Sequence, residues 1–283
     1  GSEMCIRDSG LFALSQPLNI EGLEGLKEWS APSAIVPADF DGDGQMDMLL
    51  CNALQSGTSH VFLQGDGSGT GFRYLPDHPL AQVQGHAAVV ADLDHSGGRE
   101  VAFVSQSAPG IQLWQPTAQG YVPVLDEALA EADPARTIRA TDVDHDGDLD
   151  LLTESGLFTA NGDGSWRRQM EGLEALSSDA ASVLPMDLDQ DRDRDLVVVG
   201  QQGLWVIRND RIWQWESLQI DDEPAQAVVG GDPNADGVVD LYVLRSTALD
   251  HFEVMRDLSM VRKNRTELKG TRSMMLADFS GDG

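Results

Sequence analysis

The stretch Asp39-Phe-Asp-Gly-Asp-Gly-Gln-Met-Asp47 sets four aspartates at positions 1, 3, 5 and 9 of a nine-residue phrase. The phrase returns at Asp92 as DLDHSGGRE, at Asp142 as DVDHDGDLD, at Asp187 as DLDQDRDRD and at Asp232 as DPNADGVVD. A sixth copy, DFSGDG, opens at Asp278 and ends with the chain. Successive copies start 53, 50, 45, 45 and 46 residues apart. One such phrase is weak evidence, but six in regular phase mark a repeat architecture.

Each copy has the same flanks. A short apolar run precedes it: Ile35-Val36, Ala88-Val89-Val90, Val183-Leu184, Val228-Val229 and Met275-Leu276. Another follows it: Met48 to Leu50, Val101 to Val104, Leu151-Leu152, Leu196 to Val199 and Leu241 to Leu244. These runs are β-branched and nearly continuous in apolarity, as in strands buried on both faces. Turn clusters come next, at Gln64 to Gly69, Asn161 to Ser165 and Arg208 to Arg211, each leading into another strand-like piece. They read as hairpins. A unit of about four short strands in about 45 residues, with an acidic loop between the first two, predicts an all-β fold: a β-propeller of four-stranded blades. Helical periodicity is confined to Leu125 to Ala135 and Glu21 to Trp29.

Side-chain oxygens at alternate positions, without Cys or His, suit a hard cation, Ca²⁺ or Mg²⁺, rather than zinc or copper. Glycine at position 6 permits positive φ, so that the position 7 carbonyl can turn inward. Position 7 holds Gln45, Gly98, Asp148, Asp193 and Val238, a variety that a backbone ligand tolerates. Asp-Gly clusters also make plain turns, but a turn needs one or two such residues. Two carboxylates ~4 Å apart repel by about 4 kcal/mol at an effective dielectric of ~20. An EF-hand does not fit: position 12 is Leu50, Phe103, Thr153, Val198 or Val243, inside an apolar run where that motif needs a bidentate Glu.

The loop resembles the calcium loop of the FG-GAP and VCBS repeat families, which include the integrin α-subunit propeller. The resemblance covers residues 31 to 283 and implies a ring of seven blades with Ca²⁺ in the loop joining the first two strands of a blade. It implies as ligands Asp39, Asp41, Asp43 and Asp47; Asp92, Asp94, Ser96 and Glu100; and Asp142, Asp144, Asp146 and Asp150. The remaining sets are Asp187, Asp189, Asp191 and Asp195, then Asp232, Asn234, Asp236 and Asp240. Departures grade them. The second set has Ser96 and the longer Glu100, and is expected to bind more weakly. Arg192 stands where the fourth loop wants glycine, and the fifth contains Pro233.

The 283 residues carry 47 acids against 19 Lys and Arg, a net charge of -28. That field repels nucleic acid and anionic membranes. No apolar run approaches the ~18 residues of a membrane span. Twenty of the 47 acids stand at the loop ligand positions, and five divalent ions would bring the formal charge to -18. Cys5 and Cys51 cannot build a disulfide framework or a cysteine zinc site. The six histidines form no close metal pair, no GxSxG elbow occurs, and Gly65 to Gly71 lacks the Lys of a P-loop. His95 and His145, at position 4, read as solvent-facing. Trp114, Trp166, Trp205, Trp213 and Trp215 read as blade packing, and the basic stretch Arg262 to Arg265 as a solvated loop.

Residues 1–10 match nothing downstream and read as a leader or non-native segment; residues 11–283 read as propeller. Blades are expected near 31–83, 84–133, 134–178, 179–223 and 224–270, with a partial one at 271–283. Leu11 to Ile20 are assigned to outer strands of a ring-closing blade. The interrupted sixth loop predicts a piece of a larger multidomain chain, truncated at both ends. The expected function is a non-catalytic, calcium-stabilised binding or adhesion module that meets a protein or carbohydrate ligand on a propeller face. Variable acidic loops favour an extracellular, periplasmic or cell-surface setting. The alternative is a propeller-based lyase or hydrolase acting on carbohydrate at the central channel.

Overall fold

The computed structural model describes residues 19–22, 31–52, 60–69, 71–211, 214–233, 235–268, 270–271 and 274–275. The described strands form five sheets. The first contains β1 (Asn19–Glu21), β2 (Ala34–Ala38), β3 (Asp47–Cys51), β4 (Val61–Gly65) and β5 (Gly71–Tyr74). The second contains β6 (Ala87–Ala91), β7 (Glu100–Val104), β8 (Gln112–Thr117) and β9 (Gly120–Val124). The third contains β10 (Ile138–Thr141), β11 (Asp150–Thr153), β12 (Gly156–Ala160) and β13 (Trp166–Gln169). The fourth contains β14 (Ala180–Met186), β15 (Asp195–Gly200), β16 (Gly203–Asn209) and β17 (Trp215–Asp221). The fifth contains β18 (Ala227–Gly231), β19 (Asp240–Leu244), β20 (Ala248–Val254) and β21 (Met260–Glu267). Each group of four is an antiparallel meander whose spatial order follows the sequence. These are propeller blades.

One register recurs. The residue just before the acidic loop pairs with position 9 in every blade: Ala38 with Asp47, Ala91 with Glu100, Thr141 with Asp150, Met186 with Asp195, and Gly231 with Asp240. The second strands β7, β11 and β15 are buried at every residue, as their continuous apolar runs predict. The first strands are less buried than their sequences suggest, because each lies at the edge of its sheet.

Apolar side chains from facing sheets close four cores. Phe40, Leu49 and Phe62 of the first blade meet Val101, Phe103 and Tyr121 of the second. Ala102 and Leu113 meet Leu151 and Phe158 of the third. Leu152 and Leu157 meet Leu196 and Ile207 of the fourth, and Val197 and Val206 meet Leu241 and Phe252 of the fifth. The acidic loop contributes to each core through position 2. Phe40, Leu93, Val143 and Leu188 are buried and each enters the core shared with the following blade.

Three expectations change. Asn19 and Ile20 belong to β1, which runs parallel to β5 on the outer edge of the first blade rather than in a separate closing blade. The rest of that stretch, like Cys5, Trp213, Asn234 and the sixth loop, lies outside the described residues. The basic stretch Arg262 to Arg265 is part of strand β21, not a loop. Arg262 and Arg265 turn to Asp250 and Glu223, while the side chain of Arg245, almost wholly buried, contacts Asp250 at 2.6 Å and Asp221 at 2.5 Å. Of the two candidate helical stretches, the first forms one turn, α1 (Glu127–Ala130), capped by Asp126. Of the second, Glu21 ends β1 and residues 23–29 lie outside the described residues.

Leu188→Ala removes a fully enclosed plug between the fourth and fifth blades, and is expected to lower stability by about 2–5 kcal/mol in urea unfolding.

Candidate metal loops and their geometry

Position 9 opens the second strand of each blade and is buried throughout: Asp47, Asp150, Asp195, Asp240 and Glu100 are at most 3% exposed. Its carboxylate holds the loop to the sheet. One oxygen accepts the amide of position 2: Phe40 to Asp47 at 3.1 Å, Leu93 to Glu100 at 2.8 Å, Val143 to Asp150 at 2.9 Å and Leu188 to Asp195 at 3.1 Å. In three blades the other oxygen accepts an amide from the end of the third strand. Gly65 donates to Asp47 at 2.8 Å, Ala160 to Asp150 at 3.1 Å and Asn209 to Asp195 at 3.0 Å. Asp240 instead meets the imidazole of His251 at 2.9 Å.

The loop between is a chain of side-chain-capped turns. Position 1 accepts the amide of position 6 at 2.8–3.2 Å in all five loops. Position 3 accepts the amide of position 5 in the first four. Position 5 accepts the amide of position 7 in all five. Position 6 has the positive φ its glycine implies: Gly44 at 84°, Gly97 at 83°, Gly147 at 96° and Gly237 at 83°. Arg192 adopts φ 80° there without being glycine. Position 4 is also left-handed, at His95, His145, Gln190 and Ala235, which the sequence did not reveal.

This geometry gathers acids. Carboxylate oxygens of Asp39, Asp41 and Asp43 lie within 4.8 Å of one another, as do those of Asp92, Asp94 and Glu100, of Asp142, Asp144 and Asp146, and of Asp187, Asp189 and Asp195. Ser96 sits at position 5 of the second loop with its hydroxyl turned to the Gly98 amide. In the fifth loop no such three-acid group forms among the described residues; Asp232, Asp236 and Asp240 are described and Asn234 is not. A donor test favours a cation. The second oxygens of Asp92, Asp142 and Asp187 are enclosed and accept no hydrogen bond, as is one oxygen each of Glu100 and Asp240. Burial without a partner is costly for a carboxylate. Burial itself pushes the Asp150 and Asp195 carboxyls up to about 7 and raises those of Asp47 and Glu100, the neighbouring loop acids adding to the effect against the opposing amides. All donors are oxygens, the set that hard divalent cations take.

The histidines at position 4 do not simply face solvent. His95 Nε2 lies 2.8 Å from Asp148, and His145 Nε2 lies 3.6 Å from Asp193; both acids are position 7 of the next loop. Gln190 reaches the Gly237 carbonyl in the same way. In the first loop position 4 is Gly42 and its counterpart is Gly98, so neither carries a linking side chain. Gly65 to Gly71 is a hairpin turn, closed by the Asp66 amide on the Gly71 carbonyl at 3.1 Å. Trp114, Trp166, Trp205 and Trp215 stand in strands.

No protein-family model and no curated protein sequence matches the chain. Solved structures do. An Agrocybe aegerita lectin that recognises non-reducing terminal N-acetylglucosamine aligns at 15% identity with a TM-score of 0.55, over 92% of this chain and 71% of its own. The V. cholerae biofilm matrix protein Bap1 aligns at 16% identity and TM-score 0.55, over 89% of this chain and 42% of its own. A Bacteroides uniformis protein to which 6-phosphogluconolactonase identity has been ascribed aligns at 13% and 0.51, over 87% and 75%. At these identities the likeness is one of fold, and the fold is a β-propeller.

Asp195→Ala leaves the amides of Leu188 and Asn209 without acceptors, and is expected to cost about 1–3 kcal/mol for each in urea unfolding under chelator. Asp191→Ala, at an exposed position, is expected to change stability far less. Arg192→Gly removes a left-handed non-glycine residue and should stabilise by roughly 1–2 kcal/mol in the same assay.

Proposed function

We propose that the chain is a calcium-stabilised β-propeller module of the FG-GAP and VCBS kind that acts by binding a carbohydrate or protein partner outside the cytoplasm. The observation that carries this reading is the recurrence of three converging acids at one place in four successive blades, joined in the second, third and fourth by enclosed carboxylate oxygens without partners. A turn alone has no need of them. Asp39, Asp41 and Asp43 of the first loop and Asp142, Asp144 and Asp146 of the third would hold the ion. A divalent ion there supplies the positive charge that the converging carboxylates lack. The chain's own residues do the rest: position 1 fixes the position 6 amide, and position 9 ties the loop to the sheet.

The binding part of the proposal is supported by the lectin and the biofilm matrix protein among similar folds. The net charge of -28 and the lack, among the described residues, of any helix long and apolar enough to cross a membrane agree with a partner other than nucleic acid or bilayer. The lactonase-like neighbour supports the alternative of an enzyme acting on saccharide, and saccharide turnover by the purified chain would establish it.

Calcium is expected to raise the melting temperature and EGTA to lower it; a bound ion at 100 times its Kd contributes about 2.7 kcal/mol. A melting curve indifferent to EGTA overturns the reading. Asp142→Ala should remove part of the calcium increment. Protons should compete with calcium. The Asp150 and Asp195 carboxyls, held up to about 7 against an ordinary 3.8, retain protons in the metal-free fold that the unfolded chain has lost. Their contribution is complete below the ordinary value and disappears as pH rises through about 7. The calcium-induced rise in melting temperature should therefore be larger at pH 8 than at pH 5. Buried His60, lowered to about 4 by desolvation alone, acts with and without calcium and cancels from that difference.

A further inference from the structure

A cleft of about 680 Å³ opens between the third and fourth blades on the rim that carries the acidic loops. His145 lines it from the third loop, Arg192 and Asp193 from the fourth, Arg211 from the hairpin after β16, and Trp215 from the start of β17. The volume falls within the ~300–1,000 Å³ of small-ligand sites.

Its charges are unequally committed. Asp193 is buried and already held by Arg211, whose guanidinium also donates to the Asp191 carbonyl at 2.8 Å, and His145 faces the same carboxylate at 3.6 Å. Arg192 is different. Its backbone amide is used by Asp187, but among the described residues its exposed guanidinium makes no hydrogen bond and no ion pair. The net charge of -28 repels long polyanions and Asp144 also lines the cleft, so the positive charge is local to Arg192, whose planar fork matches a single carboxylate. Trp215 adds an aromatic surface, which suits a ring with an apolar face and polar edges.

Two non-glycine residues of the cleft, Arg192 and Arg211, have left-handed φ of 80° and 64°, whereas the 60° of His145 is shared by position 4 of the other loops. The first, third and fifth loops keep glycine at position 6, as does the second, so the strain at Arg192 is not required by the loop. Strain of this sort gathers at binding sites, where the surroundings hold it.

We propose that this cleft binds a carboxylate-bearing saccharide, a single uronic acid unit, with Arg192 taking the carboxylate and Trp215 the sugar ring. The proposal rests on the binding reading above and names the chemical class of its ligand.

The test uses the purified chain and short oligouronides of glucuronate, galacturonate and mannuronate, each matched with its carboxyl-reduced neutral form. Binding is read by tryptophan fluorescence and by calorimetry, in calcium and in EGTA. At least one oligouronide should bind, its reduced form at least tenfold more weakly. Arg192→Gly should weaken that binding at least tenfold while melting no lower than the parent, so that loss of binding cannot be laid to loss of fold. The proposal is overturned if no oligouronide binds, if the reduced form binds as well, if Arg192→Gly binds undiminished, or if hexaglutamate binds as tightly as the uronide. Failure of the calcium reading shows separately, as a melting temperature that EGTA does not move.

Discussion

A carboxylate buried at the start of each blade's second strand is the constraint on which the rest of the structure depends. In Asp47, Asp150 and Asp195 its two oxygens accept amides from opposite directions, one from the loop and one from the end of the third strand. The loop amide belongs to position 2, whose side chain is the apolar plug in the core shared with the next blade. One acid thereby couples three things: closure of the first two strands, position of the third, and packing between blades. Neighbouring blades add to the same point. Tyr121 of the second blade donates to the Phe40 carbonyl at 3.1 Å, and Asn209 of the fourth donates to the Val143 carbonyl at 2.9 Å. Both polar groups of the plug residue are thus satisfied, as buried backbone requires.

That arrangement creates an electrostatic conflict. The clamp sits beside the other loop acids, so burial and like charge together raise the carboxyls of Asp150 and Asp195. Backbone amides relieve part of the cost, and oxygens without a partner mark where relief is incomplete. Protons can supply the missing charge in acid; at neutral pH a hard cation suits the same oxygens. The fifth blade departs from the scheme, for Asp240 turns to His251. There the buried Arg245 binds Asp250, Asp221 and Glu223, tying the fourth blade's outer strand and the following linker to the fifth blade.

Contacts along the rim link the second, third and fourth loops each to its successor. His95 meets Asp148, His145 meets Asp193, and Gln190 meets Gly237, always from position 4 of one loop toward position 6 or 7 of its successor. Between the third and fourth blades this lacing borders a cleft in which Asp193 is already neutralised and Arg192 is not.

The repeat, its phase and the alternation of acids were enough to place the strands flanking each loop, the hairpin turns and the acidic loops, because strand pairing and turn formation are local and leave periodic marks in the chain. The role of the apolar residue at position 2, Phe40, Leu93, Val143 or Leu188, came from the structure, because the core it fills is shared with the next blade. Three further features were decided by tertiary structure. Position 9 became a backbone acceptor because the third strand ends beside it, and spacing along the chain says nothing of that approach. His95 and His145 found acids some 50 residues away because blades stack in register. The basic stretch Arg262 to Arg265 became an edge strand because the acids that neutralise it lie on β20 and in the linker before β18. Local sequence determines which segments extend and which turn; only stacking determines which charges meet, since Coulomb and hydrogen-bond partners are chosen by distance in space.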